Sequence, residues 1–260
     1  MKIYTKGKLI EALLKIRAKG WVETTRPGND GGVGNTLEHL LGISENNLTI
    51  PNASEWELKA QRLNSSALGT LFHQEPSPRN AKIVPQILLP FYGWKHKEAG
   101  GSYPTTEKSF RQTIRANSST DRGFSCYADS QERKIVVSFD SSSVAERHSE
   151  WLESVNRHMG LGQINPQPYW GFDDIFHACG VKLTNTFLVQ AEVKREGGKE
   201  FFHYTNIKML RNFSIDKLIL AFDRGIIFVD FDARTGHNHG TKFRMHKKEI
   251  PFLYADVSDL

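Results

Sequence analysis

The residues of this chain that could do chemistry together are an acid and a lysine two positions apart, Glu57 and Lys59. They lie in the alternating segment 56–60, which predicts a β-strand, and the two-residue period of a strand places both side chains on one face. Metal-dependent phosphodiester cleavage uses this pairing, because the carboxylate holds Mg²⁺ while the ammonium group orients or deprotonates the attacking water. An exposed strand also produces Glu-x-Lys by chance, so the tripeptide alone leaves a solvated surface as the alternative.

A second metal ligand is normally placed on the turn before such a strand. That position, directly after Pro51, is occupied here by Asn52. A neutral amide oxygen binds Mg²⁺ much more weakly than a carboxylate does. The local pattern therefore predicts one strong ligand, Glu57, and one weak ligand, Asn52.

The elements before this strand are a helix, a glycine-rich loop and a second helix. Leucines and isoleucines at helical spacing predict an amphipathic helix over residues 6–19, which ends at Gly20. Residues 26–34 contain four glycines and one proline and are predicted to form a loop, after which Asn35 or Thr36 caps a short helix that carries Glu38. The loop lacks the Lys-Ser/Thr ending of a phosphate-binding P-loop, which argues against ATP or GTP binding.

The rest of the chain predicts a mixed α and β fold. Strands are expected at 134–139, 186–193 and 226–231, with 201–206 as the hairpin partner of 186–193; residues 169–179 are predicted to be helical, and 215–224 fit a helix or a strand. Residues 74–121 are rich in Pro, Gly, Ser and basic side chains and are predicted to be loops with little core. No linker separates these segments, so residues 1–260 are expected to form one folded unit with two lobes.

Composition limits the classes of protein that the chain can belong to. The 260 residues carry 34 Lys and Arg against 29 Asp and Glu, and 38% of the residues are hydrophobic, which is typical of a folded chain. No apolar run approaches the roughly 20 residues of a membrane helix, and two cysteines do not form a disulfide framework. We therefore expect a cytoplasmic protein without membrane contact. The formal charge of +5 is compatible with nucleic-acid binding but also with many enzymes.

A second group of polar residues follows the strand predicted at 226–231. Residues 237–244 contain His237, His239, Lys242 and Arg244, and Arg234 lies just before them. His-x-His offers too few ligands for a zinc site. A hairpin turn with solvent-facing histidines is one interpretation; the other is a base-reading segment, in which Arg244 contacts guanine O6 and N7 and Arg234 contacts a base or a phosphate. No pattern separates phosphate contacts from solvated charges at other basic residues, which include Lys182, Lys194, Arg195 and Lys208.

Seven blocks along the chain, in unbroken order, resemble the MvaI/BcnI family of monomeric type II restriction endonucleases, structural relatives of the mismatch-repair nicking enzyme MutH. The blocks are KGWVET at 19–24, RxGNxGxVGxTLE at 26–38, ENNL at 45–48, PN-x4-ELK at 51–59, LF at 71–72, YWxFD at 169–173 and HNHGTKFR at 237–244. They span almost the whole chain, so the resemblance does not depend on one short motif.

The resemblance implies an α/β fold with a mixed sheet: the PD-(D/E)xK restriction-endonuclease-like core in a MutH-like, two-lobed monomer with a DNA cleft. Residues 1–90 correspond approximately to the catalytic lobe, and 91–260 to the remainder of the core and the DNA-recognition lobe. Asn52 and Glu57 take the metal-ligand positions, Lys59 that of the catalytic lysine, and Glu38 that of a helix acid that supports the metal site. The implied cofactor is Mg²⁺, with Mn²⁺ or Ca²⁺ as substitutes.

Asn52 is the one serious departure from the family pattern, which has a metal-binding Asp at this place. An engineered Asp-to-Asn change explains the departure and is favoured, since the rest of the motif is intact. A naturally weak enzyme, or one in which Glu55 takes over the role, is the alternative. As written, the chain is expected to bind its DNA site and to cut it poorly or not at all.

The resemblance also implies that residues 237–244 form a base-reading loop in the major groove. The DNA-contacting residues are then His73, Arg234, His237, His239, Lys242 and Arg244. His73 together with His239 supplies a histidine pair for the central base pair, which favours a CC(C/G)GG site over CC(A/T)GG.

The predicted function is that of a Mg²⁺-dependent type II site-specific deoxyribonuclease, which cuts double-stranded DNA at a CCNGG-class site. One active site meets two antiparallel strands, so a monomer nicks one strand and then rebinds in the opposite orientation. The expected setting is the bacterial cytoplasm, where a cognate DNA methyltransferase acts on the same site without a stable complex. Two alternatives remain: a MutH-like repair nicking enzyme, and a non-catalytic DNA-binding module with a retired active site.

Overall fold

The computed structural model describes residues 4–24, 26–29, 31–43, 55–63 and 65–260. The strands of these residues are β1 (Val22–Glu23), β2 (Glu57–Arg62), β3 (Leu68–His73), β4 (Trp94–Lys95), β5 (Lys108–Ile114), β6 (Arg122–Asp129), β7 (Lys134–Val144), β8 (Tyr169–Gly171), β9 (Asn185–Glu196), β10 (Lys199–Phe213), β11 (Phe228–Arg234), β12 (His237–His246) and β13 (Tyr254–Asp259). The helices are α1 (Lys6–Ala18), α2 (Gly32–Leu41), α3 (Ser149–Met159), α4 (Phe172–Leu183) and α5 (Ile215–Asp223), and a π-helix spans Val84–Tyr92. The predicted mixed α/β class is confirmed. Within the described ranges, no helix has both the length and the apolar character needed to cross a membrane.

The chain divides into two compact units, and each is assembled from separate stretches. The first unit consists of the described residues of Met1–Leu68, Cys179–Ile215 and His246–Leu260. The second consists of Gly69–Ala178 and Asp216–Met245. The functional division into lobes near residue 90 stays a prediction.

The first unit is built on a mixed sheet with the strand order β1-β10-β9-β2, in which β13 also pairs with β10. Strands β9 and β10 form the antiparallel hairpin that the sequence predicts, whereas β2 runs parallel to β9, with Glu57 opposite Thr186. Leu58 and Phe187 belong to a buried apolar core with residues of α1 and α2. Because side chains alternate along a strand, Glu57 and Lys59 lie on the face opposite to this core.

Helix α2 begins earlier than the sequence predicts. A loop is expected through residue 34 and a cap at 35 or 36, but the helix starts at Gly32 with Gly31 as its N-cap. Close packing explains the difference: a Cβ added to Gly32 would lie 2.8 Å from the carbonyl oxygen of Arg26, and the hydroxyl of Tyr204 donates a hydrogen bond to the carbonyl of Val33. Tertiary contacts thus outweigh the low helix propensity of glycine.

The second unit contains a five-stranded sheet, in the order β3-β12-β11-β5-β4, and a three-stranded sheet, in the order β6-β7-β8. Its core is rich in aromatic side chains that contact one another. Phe110 meets both Phe124 and Phe231 edge to face, with ring centroids 5.4 and 5.5 Å apart. Trp170 packs in the same way against Phe243 of β12, at 5.1 Å. These contacts fix the strands that carry the polar residues of the opposite face.

The prediction that residues 74–121 form loops with little core is wrong. They include the π-helix, β4 and β5, and they bury Leu88, Tyr92, Phe110 and Ile114. The apolar run of the π-helix contains Pro90 and does not follow the period of an α-helix, which hides it from a search for regular spacing. The helix predicted at 169–179 is also partly wrong, because residues 169–171 form β8 before α4 begins.

A cluster of charged side chains joins the residue before β6 to the turn before α3. The carboxylate of Asp121 accepts a hydrogen bond from Nε2 of His148 at 2.9 Å and one from the guanidinium of Arg147 at 2.6 Å. These bonds lower the pKa of Asp121 from 3.8 to about 2. Because the pKa is lower in the folded state than in the unfolded state, the ionised Asp121 stabilises the fold above about pH 4. This stabilisation is lost as the pH falls towards 2.

We expect the substitution Asp121→Asn to lower the free energy of unfolding by less than about 1 kcal/mol at pH 6, because the cluster is largely exposed. The difference from the parent should shrink as the pH falls from about 4 towards 2, which urea titrations at several pH values can measure. Glu153→Gln, a change at an exposed acid of α3, is the control. A difference that stays constant over this pH range would contradict the assignment.

Candidate active site

Strand β2 places the predicted acid and lysine together. The Glu57 side chain is 2% exposed, and its Oε1 atom lies 2.9 Å from Nζ of Lys59. The second oxygen, Oε2, is buried and has no hydrogen-bond partner among the described residues. A buried carboxylate oxygen without a donor is costly unless something binds it. The solvated-strand interpretation of Glu-x-Lys does not fit this geometry, because the acid is almost fully buried.

A second lysine reaches the same carboxylate. Nζ of Lys182, in the last turn of α4, lies 3.8 Å from Oε1 of Glu57, and its side chain is 20% exposed. Sequence reasoning did not distinguish Lys182 from solvated charges. No local spacing could have done so, because α4 and β2 are far apart in the chain and meet only through the pairing of β2 with β9.

Behind Glu57 the site is closed by a pair of buried hydroxyls. Thr186 lies opposite Glu57 in the register of β2 and β9, and its Oγ1 is 2.6 Å from the hydroxyl of Tyr254. Burial raises the pKa of Tyr254 and the charge of Glu57 adds to the effect, so the phenol stays neutral at physiological pH. The carboxylate therefore has a neutral, dry surface on one side.

Of the two other predicted residues of the site, the structure describes Glu38 but not Asn52. Glu38 is half-buried on α2, which packs against β2, and its role as a supporting acid stays a prediction. Asn52, with its role as a metal ligand, lies outside the described residues. Glu55, the alternative ligand, is exposed just before β2.

The residues present fit a divalent cation only in part. Oε2 of Glu57 is an available hard oxygen, the type of atom that Mg²⁺ prefers. However, the described residues contain no group of three or more His, Cys, Asp or Glu placed to hold a metal ion. Lys59 and Lys182 also bring two positive charges to one carboxylate. A cation would thus be held weakly unless a further acid were present.

The segment predicted as a base-reading loop is a strand. Residues 237–246 form β12, which pairs with β11 so that Asp230 lies opposite Lys242. Thr241, Phe243 and Met245 are buried, while Lys242 and Arg244 alternate with them on the polar face. The loop prediction is therefore wrong: β11 and β12 are neighbouring strands of the five-stranded sheet, joined by a turn of residues 235 and 236.

Each basic residue of this polar face is paired with an acid. The ion pairs are Arg244 with Asp230 at 3.0 Å, Lys242 with Asp232 at 3.1 Å, Arg111 with Asp232 at 2.9 Å and Arg234 with Glu107 at 3.2 Å. Burial raises the pKa of Asp232, but the hydrogen bond from Lys242 and the nearby positive charges outweigh it, so the pKa is lowered overall. Sequence reasoning missed Asp230 and Asp232, although their alternation with apolar residues along β11 was a usable signal.

The three predicted histidines lie close together at one end of the second unit's sheet. The rings of His237 and His239 are 4.2 Å apart between centroids. His73, at the end of β3, lies beside the hairpin: a Cβ added to Gly240 would be 3.8 Å from Cδ2 of His73. Glu75 accepts a hydrogen bond from the backbone N–H of Thr241, which fixes the chain after β3 to β12. The roles of these histidines in base reading stay predictions.

Comparisons with known proteins give a family and a fold. A family model described as the MvaI/BcnI restriction endonuclease family matches residues 10–254. Among solved structures, the chain is similar to the restriction endonuclease MvaI in complex with its cognate DNA substrate, with a TM-score of 0.76 and 24% identity over 98% of this chain and 99% of that chain. It is also similar to MvaI in the absence of DNA, with a TM-score of 0.55 and 22% identity over 100% of this chain and 99% of that chain. No curated protein sequence matches the chain. The predicted restriction-endonuclease-like fold is confirmed.

Proposed function

The chain belongs to the MvaI/BcnI restriction endonuclease family, and on this basis we propose that its site hydrolyses phosphodiester bonds of double-stranded DNA at a CCNGG-class sequence. We take CC(C/G)GG as the site and CC(A/T)GG as the alternative. The observation that carries the proposal is the buried carboxylate of Glu57, with Lys59 on one oxygen and no hydrogen-bond partner among the described residues on the other.

The roles of the chain's own residues follow from this geometry. Glu57 would hold the cofactor, Mg²⁺, and Lys59 would orient the attacking water on the same face of the sheet. When bound, the cation supplies a water of lowered pKa and stabilises negative charge on the phosphate. Thr186 and Tyr254 exclude solvent behind the carboxylate, which strengthens the electrostatic interactions of the site.

The balance of charge supports an impaired enzyme. The described part of the site holds one carboxylate and two ammonium groups, so a divalent cation meets a net positive surface. An Asp at position 52 would add the missing negative charge, whereas Asn52 does not. Tight DNA binding with slow cleavage is the expected behaviour of the chain as written.

Base reading is assigned to the polar face of β11 and β12. An Arg held in place on this face can make bidentate bonds to guanine in the major groove, and an Asp can accept a hydrogen bond from cytosine N4. Arg244 and Asp230 lie side by side on this face, which suits a site made of C and G. The neighbouring histidines, His73 and His239, are assigned to the central base pair. The similarity to MvaI in complex with its cognate DNA substrate supports DNA as the partner.

The remaining parts of the proposal concern the cycle and its setting. A monomer with one active site nicks one strand, leaves, and rebinds in the opposite orientation to cut the other. A cognate methyltransferase of the same bacterial cytoplasm protects the site without forming a stable complex.

Binding of the unmodified chain tests the proposed recognition. Fluorescence anisotropy with Ca²⁺ compares short duplexes that contain CCCGG, CCAGG or a scrambled sequence. We expect the CCCGG duplex to bind most tightly, with each wrong base pair costing about 1–3 kcal/mol, and the affinity to fall with added salt. Equal affinity for all three duplexes would rule out sequence-specific recognition.

We expect Arg244→Ala to reduce the preference for the cognate duplex by about 1–3 kcal/mol, since one bidentate contact to guanine is lost. The same anisotropy assay with single-base variants of the duplex measures the change. Lys97→Ala, at a strongly exposed lysine of the second unit, is the matched control and should weaken binding to all duplexes alike. An unchanged preference in the Arg244 variant would remove that residue from base reading.

A further inference from the structure

We propose that Lys182 is a second active-site lysine, a positioning residue that holds Glu57 by its Oε1 atom and allows Lys59 to act on the water. The inference rests on the proposed function, since it assigns Lys59 and Glu57 to cleavage. It adds a residue that neither the Glu-x-Lys pattern nor any spacing within β2 indicates.

The fold brings Lys182 to this place in a defined way. Helix α4 ends at Leu183 and β9 begins at Asn185, so only one residue connects them. Strand β9 then runs parallel to β2 with Thr186 opposite Glu57. The last turn of α4 must therefore lie beside the first residue of β2, and Lys182 reaches its carboxylate from there.

The burial of this contact separates it from an ordinary surface ion pair. Lys182 and Lys59 are 20% and 17% exposed, and the carboxylate between them is 2% exposed. By contrast, Lys199 and Glu23, another pair of the same unit, are 60% and 49% exposed. Exposed pairs of that kind contribute little, whereas a buried carboxylate that loses its partner is strongly disfavoured.

A second lysine keeps a positive charge beside Oε1 of Glu57 while Lys59 acts on the water. Lys59 has three N–H donors and uses one on Oε1 of Glu57, at 2.9 Å, so it can also orient a water. A shift of its Nζ towards that water lengthens the contact with a buried carboxylate oxygen, which is costly without a second positive charge nearby. Lys182 places that second charge 3.8 Å from Oε1. Its positive charge also weakens cation binding, so its removal should affect turnover and metal affinity in opposite directions.

The test uses the Asn52→Asp protein as the parent, with Lys182→Met, Lys182→Arg and the charge-matched control Lys199→Met. Steady-state cleavage of the cognate duplex gives kcat and KM, and calorimetric titration of the metal-free proteins with Mn²⁺ gives the metal affinity. We expect Lys182→Met to lower kcat by roughly 10- to 100-fold with KM nearly unchanged, and to bind Mn²⁺ roughly tenfold more tightly. Lys182→Arg should restore most of kcat, and Lys199→Met should match the parent.

Each other outcome has a definite meaning. An unchanged kcat in Lys182→Met overturns the proposal. So does a fall in kcat with unchanged Mn²⁺ affinity and a lower unfolding midpoint, since that is the result of a purely structural role. If the parent cuts no DNA, the proposed function fails, but the Mn²⁺ titration still tests Lys182: equal affinities in parent and variant would overturn its placement beside the metal ligand.

Discussion

Replacing Asn52 with aspartate is expected to raise Mg²⁺-dependent cleavage of the cognate duplex at least about 100-fold. Mutation of residues that only hydrogen-bond to a metal ligand already changes activity by about 10- to 100-fold, and position 52 is proposed to be a ligand itself. In the proposed role of position 52, the carboxylate would add a strong ligand and a negative charge to a site in which two lysines lie near Glu57. Single-turnover cleavage of a labelled duplex at several Mg²⁺ concentrations measures the rate and the metal requirement together.

The control for this gain is Asn156→Asp, which makes the same change of charge at an exposed position of α3. It should leave cleavage unchanged. An Asn52→Asp protein that binds the cognate duplex but cuts no faster than the parent would favour the non-catalytic DNA-binding module over the nuclease.

Glu57→Gln in the Asn52→Asp protein is expected to lower kcat by about 10²- to 10³-fold, the usual effect of removing one preorganised electrostatic group. The amide keeps the shape of the side chain but loses the charge that pairs with both lysines and that is proposed to hold the cation. DNA affinity should be retained, since a negative charge near the phosphates is lost. Steady-state cleavage and anisotropy on the same duplex measure the two effects.

Glu55→Gln tests the alternative ligand in the same background. Glu55 is exposed before β2, whereas Glu57 is buried in the strand. The Glu55 variant should keep the parent's activity. A loss equal to that of Glu57→Gln would move the metal site towards Glu55.

Local spacing was sufficient for the parts of the fold that depend on one segment. The spacing of the leucines predicted α1 over residues 6–19, and the observed helix differs by one residue at its C-terminal end. Alternation at 56–60 predicted β2, and with it the common face of Glu57 and Lys59. The hairpin of β9 and β10 was predicted from two neighbouring β-rich runs, 186–193 and 201–206.

The remaining features depend on contacts between distant segments, which spacing does not reveal. Position 32, the first residue of α2, requires glycine because a Cβ there would lie 2.8 Å from the carbonyl oxygen of Arg26. Lys182 meets Glu57 only through the parallel pairing of β9 and β2. The acids that pair with Lys242 and Arg244 lie on the neighbouring strand β11. Residues 237–244 taken alone therefore show the basic side chains of these ion pairs but not the acidic ones.

Digestion of a defined supercoiled plasmid by the Asn52→Asp protein with Mg²⁺, followed by run-off sequencing of the ends, tests the central claim most directly. We predict that nicked circles accumulate first and are then converted to linear DNA, with both strands cut within CC(C/G)GG. Digestion that stops at the nicked circle would favour the MutH-like nicking enzyme. The absence of Mg²⁺-dependent cleavage at every sequence of the plasmid would contradict the claim that Glu57 and Lys59 form the active site of a restriction endonuclease.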